Sequence, residues 1–183
     1  MKAFLILLFC FIVYGCVSTP ESNFYVISDN TQEMLSKKKL KITIYDISLP
    51  QYVDRPQIVL QKDESSEIKI SEFNRWASDL SIMLKNTFID NLRNMLPNSN
   101  IYALAYGIDF EYVVIIEVEE FIGRLNQSAL LKVNWQILNT ERKEVYTKRK
   151  EYITPVGKTY ESYVLAQCKN IQALSFDVAE SLK

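Results

Sequence analysis

An apolar run from Ala3 to Tyr14, preceded by the single basic residue Lys2 and closed by a cysteine, decides which part of this chain can fold and in which compartment. The run is too short to span a bilayer, which takes roughly 20 apolar residues. It has the length of the apolar stretch of an export signal, a segment removed before the mature protein folds. Val13-Tyr14-Gly15-Cys16 then follows the order of a lipobox: an aliphatic residue, a free position, a small residue and a cysteine. The small residue suits the peptidase, and the thiol is the atom that accepts diacylglycerol before the cut. An ordinary secretory signal with a cysteine near its end, or a short buried helix, would share part of this pattern; length and flanks favour export. We read residues 1–15 as a lipoprotein signal peptide, 16–22 as a lipidated tether and 23–183 as one domain. Val17 and Ser18 follow the cysteine where aspartate would be the common retention signal. That points to the periplasmic face of the outer membrane.

Of the three cysteines, Cys10 leaves with the signal and Cys16 is acylated, so Cys168 alone remains and no intramolecular disulfide can form. The domain therefore depends on core burial, for which a single chain of this length is sufficient. It is expected to fold without metal, cofactor or disulfide from about Asn23 onward. The 21 basic residues nearly balance the 22 acidic ones, which argues against nucleic acid as a partner, since phosphate binding calls for a basic surplus. No histidine is present, removing the usual general base, the usual zinc ligand and every nucleophile–histidine pair. Carboxylate or lysine catalysis is still allowed, and Glu117, Glu119 and Glu120 are the one acidic cluster to consider. Nothing beside them supplies a nucleophile or metal partner, so they read as a solvated strand end.

Hydropathy patterning gives the architecture. Phe24–Ile27 reads as a first strand at a sheet edge. In Leu40–Ile47, Leu40, Ile42 and Ile44 alternate with Lys41, Thr43 and Tyr45, the period of a strand. Pro50 and Pro56 bracket an extended or turn segment that returns to strand at Ile58–Leu60, and Lys62–Ser66 makes a hairpin loop before a short strand, Glu67–Ile70. A long helix is expected from Ser71, capped by that hydroxyl, with Trp76, Leu80, Met83, Leu84, Phe88, Leu92 and Met95 on one face. Further strands follow at Ile101–Ala105, Glu111–Phe121, Leu131–Ile137 and Lys143–Tyr152. In the second of these, Tyr112–Ile116 is apolar on both faces, as in a strand covered on both sides, and beyond it Glu117, Glu119 and Phe121 alternate with Val118 and Glu120. The last strand, polar on both faces, suits an edge. A final helix carries Tyr160, Val164, Cys168, Ile171, Leu174, Val178 and Leu182 on one face. The order strands, helix, strands, helix predicts an α+β fold, a mostly antiparallel sheet with both helices packed on one face.

The run Leu49-Pro50-Gln51-Tyr52-Val53-Asp54-Arg55-Pro56-Gln57-Ile58-Val59, followed by Phe73-Asn74-Arg75-Trp76-Ala77 behind a lipobox, resembles the PqiC (YmbA) family of ABC-type transport auxiliary lipoproteins. The specific motif covers about residues 49 to 77, and the layout extends over nearly the whole chain. The resemblance implies a non-catalytic accessory role in moving lipids or other hydrophobic molecules between inner and outer membranes. It also implies a ring of identical subunits docking an MCE-domain partner. Carried over to this chain, Cys16 is the anchor, while Tyr52, Asp54, Arg55, Pro56, Arg75 and Trp76 are signature positions without assigned chemistry. Trp76 is readable as core and Arg55 as either an interface donor or a bond within its own loop. Asp54 or Arg55 is also placed to pair with Arg75 or a nearby carboxylate. A structural envelope lipoprotein, or an assembly factor for another secretion machine, is the alternative; capture of an MCE-domain protein separates the two.

Overall fold

The computed structural model describes residues 20–28, 34–62, 65–103 and 109–182. The strands are β1 (Asn23–Tyr25), β2 (Lys41–Ser48), β3 (Gln57–Gln61), β4 (Ile68–Trp76), β5 (Asn100–Ala103), β6 (Tyr112–Gly123), β7 (Ser128–Asn139) and β8 (Glu144–Pro155). The helices are α1 (Leu80–Met95), between β4 and β5, and α2 (Tyr160–Ser181), after β8. A small sheet has the order β1-β4-β3 and a larger one the order β5-β2-β6-β7-β8. The fold is α+β as expected, but the sheets are mixed. Strands that follow one another closely in the chain, β3 and β4, β6 and β7, β7 and β8, pair antiparallel. β2 instead lies parallel to both β5 and β6, and β1 lies parallel to β4. The chain leaves β2, runs through β3, β4 and α1, and returns in the same direction at β5, as a crossover connection requires.

Both helices cover the same face of the large sheet. Ile47 of β2, Leu84 and Phe88 of α1, Ile116 and Val118 of β6, Leu131 of β7, and Ile171 and Leu174 of α2 meet in one apolar seam. In β7 the expected inward row, Leu131, Val133, Trp135 and Ile137, is fully buried. On β6, Val114 and Ile116 are buried while Val113 and Ile115 are half-buried, so the second side of this strand is shielded only in part.

Two expectations fail locally. The helix begins at Leu80 and not at Ser71, because Ser71–Trp76 is the end of β4, its Asn74–Trp76 stretch pairing with β1 and Arg75 also with β3. The Ser71 hydroxyl accepts bonds from the backbone N–H and side-chain amide of Asn74, at 3.0 and 2.9 Å, a local bond within the strand in place of a helix cap. Beyond Val118, β6 does not keep its alternation. Val118 faces Val133 and Glu120 faces Lys132, leaving Glu119 as an inserted residue. This bulge swings Phe121 inward, onto the side of Val118.

α2 opens with a capping box in which Thr159 and Ser162 satisfy each other's backbone N–H groups. Its buried face is wider than the apolar stripe and includes Gln167 and Asn170. The Gln167 amide donates to the Ile122 and Leu130 carbonyls, and the Asn170 amide to the Ala129 carbonyl. These bonds tie the helix to the β6–β7 end of the sheet. Farther along, the Asp177 carboxylate accepts from Lys150 Nζ and the Tyr152 hydroxyl of β8, each at 2.6 Å. Burial pushes the Asp177 carboxyl up, but these two bonds outweigh it and hold the group below the usual carboxylate range. Its stabilisation is therefore present above the ordinary value of about 4 and lost as pH falls through the lower folded value. Asp177→Asn should cost about 1–2 kcal/mol near neutrality, discounted for partial exposure, and should narrow the gap from the parent in acid melts. A constant difference down to the lowest accessible pH would refute this.

Candidate functional site

The signature residues gather where the turn after β2 meets the end of β4. The Pro50 carbonyl accepts from the N–H groups of Val53 and Asp54, at 3.1 and 3.2 Å, and the Val53 carbonyl from that of Arg55, at 2.8 Å. The chain is thus wound into one tight, self-bonded turn, with the fixed φ of Pro50 opening it and Pro56 sending it into β3. Val53 plugs this turn into the core at 2% exposure. The Pro56 carbonyl then accepts from the Trp76 N–H at 2.7 Å, and Gln57 is the strand partner of Arg75. The two parts of the motif, some twenty residues apart in the chain, are therefore one structural unit.

Within that unit the side chains divide into buried and exposed. Trp76 is core: it is 4% exposed, and its ring lies 6.2 Å from that of Phe121 at a tilted angle. It ends a strand and does not lie on the helix, so the amphipathic stripe that seemed to include it begins at Leu80. Tyr52 is half-buried against the β6 bulge; burial first, then the Glu120 carboxylate, raises its hydroxyl, against a bond from the Phe121 backbone. Burial raises the Tyr163 hydroxyl of α2, and Tyr52 lies close enough to add to it. Asp54 is exposed at the rim of a cleft of about 360 Å³ that also holds Asp46, Ser81, Ile82 and Lys85, the last paired to Asp46 at 2.9 Å.

Arg55 is half-buried, and its Nε has neither solvent nor a hydrogen-bond partner. Arg75 Nε donates to the Glu72 carbonyl at 3.1 Å. Among the described residues no ion pair joins Asp54, Arg55 or Arg75 to one another or to a carboxylate, which corrects the expected loop pairing. The phi constraints of the two prolines and the plug of Val53 already hold the turn, so it folds without such a pair. Cys16 lies outside the described residues.

The acidic cluster lies on β6, where Glu120 stands near enough to Tyr52 of the turn to act on its hydroxyl. Glu119 forms a two-pronged pair with Arg149, at 2.7 and 2.6 Å, which holds its carboxyl below the usual range. Lys132 bridges Glu120 and Glu151 at 3.4 and 3.0 Å. Glu119 and Glu120 are neutralised in an exposed cross-strand ladder, an arrangement that stabilises the sheet modestly. Among the described residues no group of three His, Cys, Asp or Glu side chains is spaced to hold a metal ion, and no helix is long and apolar enough to cross a membrane.

The proline-bracketed turn, its union with the end of β4 and the sheet-and-two-helix layout can be compared as a set with known proteins. The family described as ABC-type transport auxiliary lipoprotein component matches residues 25–179. The chain belongs to this family. A curated relative, the intermembrane transport lipoprotein PqiC of Escherichia coli strain K12, is 26% identical over 139 residues, covering 74% of this chain and 73% of its own. An uncharacterized protein of known crystal structure superposes with a TM-score of 0.76 at 18% identity, covering 90% of this chain and all of the other. A Xanthomonas campestris protein gives 0.72 at 16% identity, covering 86% and 93%. At these identities the two structures share the fold with this auxiliary lipoprotein and say nothing of its activity.

What sequence reasoning missed is the buried amide set on α2. Gln167 and Asn170 are polar, so an apolar-stripe search passes over them. Their spacing of three, beside Tyr163 and Ile171 on one helix face, is the signal that was available.

Proposed function

We propose that this auxiliary lipoprotein is held by lipid on Cys16 at the periplasmic face of the outer membrane and serves an MCE/ABC-type transport system. In that system lipids or other hydrophobic compounds move between inner and outer membranes. The protein acts by docking partners and copies of itself, not by catalysis. The observation that carries the reading is the family match over residues 25–179, together with a relative named as an intermembrane transport lipoprotein. Val17 and Ser18 after the cysteine favour outer-membrane sorting. The surface that supports docking is the Pro50–Pro56 turn, a rigid unit presenting Asp54 and carrying the incompletely bonded guanidinium of Arg55. Arginine of this kind is enriched where protein surfaces meet.

The test is affinity capture of the tagged full chain from detergent-solubilised envelopes of the source bacterium. Enrichment of an MCE-domain protein supports the reading; its consistent absence, with the bait intact, overturns it. Arg55→Glu sharpens the test. A ring needs one patch to meet a different patch on the next subunit, so one reversed charge breaks every contact. The parent should be oligomeric by light scattering and Arg55→Glu monomeric. Because Arg55 Nε makes no bond within the chain, its melting point should move little, by roughly 1 kcal/mol or less of stability. A large melting shift with unchanged mass would assign Arg55 to its own loop, and a monomeric parent would remove the ring.

A further inference from the structure

The small sheet exposes more apolar surface than its size explains. Phe24 is 64% and Val26 57% exposed, while Ile27 is buried and Tyr25 packs against the core. The run Phe24–Ile27 is thus apolar on both faces, one turned to the core and one to the outside. On β4 of the same sheet, Ile68 and Ile70 are 43% and 42% exposed. Scattered single hydrophobics need no explanation, but three on one small sheet, with Val26 just past the end of β1, mark a contact surface.

Chain length indicates what covers it. The stretch from Cys16 to Asn23 spans at most about 25 Å when fully extended, whereas a compact domain of this size is roughly 40 Å across. With lipid on Cys16, β1 is held within about 25 Å of the bilayer whatever the orientation of the domain. The charges beside the exposed side chains suit a headgroup layer. Arg75 is the strand partner of Phe24 and Lys69 lies between Ile68 and Ile70, while the nearby carboxylates are Glu72 of β4, Glu67, paired to Lys62, and Glu161 beside Tyr25. Cations flanking apolar side chains place the charge among lipid phosphates and the hydrocarbon below them. A protein strand adding to the β1 edge would find only three residues to pair with, a short template.

We propose that the face formed by Phe24, Val26, Ile68 and Ile70 is a lipid-contact surface that seats the domain, in a defined orientation, on the membrane holding its own anchor. This rests on the reading of Cys16 as lipidated. The experiment uses the full lipidated protein with Cys168→Ser, reconstituted into vesicles of phosphatidylethanolamine and phosphatidylglycerol. A nitroxide is placed at Val26→Cys, or for comparison at Val145→Cys. Val145 is exposed at the opposite end of β8 from the start of α2, beside which Tyr25 lies. Vesicle flotation is measured first. Flotation, with the Val26 label gaining accessibility to oxygen and losing it to an aqueous nickel chelate while the Val145 label stays aqueous, is the expected result. In that result Phe24→Ser should return the Val26 label toward the aqueous value. A floating protein whose Val26 label is fully aqueous, or immobilised yet open to the nickel chelate as in a protein–protein contact, overturns the lipid-contact face and leaves the anchor standing. A protein that does not float removes the anchor, and this proposal with it.

Discussion

Trp76→Ala should destabilise the domain by about 3–5 kcal/mol, the usual loss for truncating a buried tryptophan without refilling its space. The side chain is 4% exposed and stacks at a tilt on Phe121, the residue that the β6 bulge turns inward. Alanine leaves the Pro56-to-Trp76 backbone bond possible but removes the ring that joins the small sheet to the large one. For a chain of this length the melting temperature should fall by roughly 10 °C. Thermal or urea unfolding followed by circular dichroism measures it. A variant that melts with the parent and loses only its association with partners would show that Trp76 serves an interface.

Cys16→Ser is expected to abolish lipid attachment altogether. A serine hydroxyl does not substitute for the thiol, and no neighbouring residue offers one: Cys10 follows Phe9 within the apolar run, and Cys168 lies near the other end of the chain. Burial also pushes the Cys168 thiol up and away from its reactive form. The domain itself should be unaffected, since nothing in its core depends on the anchor. Fatty-acid labelling and envelope fractionation read the result directly: an unlabelled, uncleaved or mislocalised chain is expected. Labelling equal to that of the parent sinks the lipoprotein reading.

Period-two and period-3.6 patterning found the strands and the core faces of both helices, because burial on one side writes itself into the spacing of apolar residues. Leu84, Phe88 and Leu92 on α1, and Leu131, Val133 and Trp135 on β7, lie where that spacing puts them. The motif at Leu49–Val59 was enough to indicate the family, and the prolines enough to indicate a turn. Patterning failed where two elements compete for one segment. Ser71–Trp76 looks like a helix start because serine, glutamate and a following apolar stripe satisfy capping rules, yet pairing of Asn74–Trp76 with β1, and of Arg75 with β3, draws it into a sheet. Local propensity amounts to tenths of a kcal/mol per residue, and such pairing outweighs it.

The sequence by itself determined the class of the fold, the buried apolar rows and the family, since each is carried by residues close together in the chain. Only the tertiary structure decided that β2 runs parallel between β5 and β6, and that a bulge at Glu119 redirects Phe121. It also decided that Trp76 is core while Arg55 Nε is left without a bond, and that Phe24 and Val26 stay uncovered. Each of these depends on which distant segment arrives alongside. A residue's spacing tells which side it faces, but the identity of its neighbour is set only when the whole chain has closed around it.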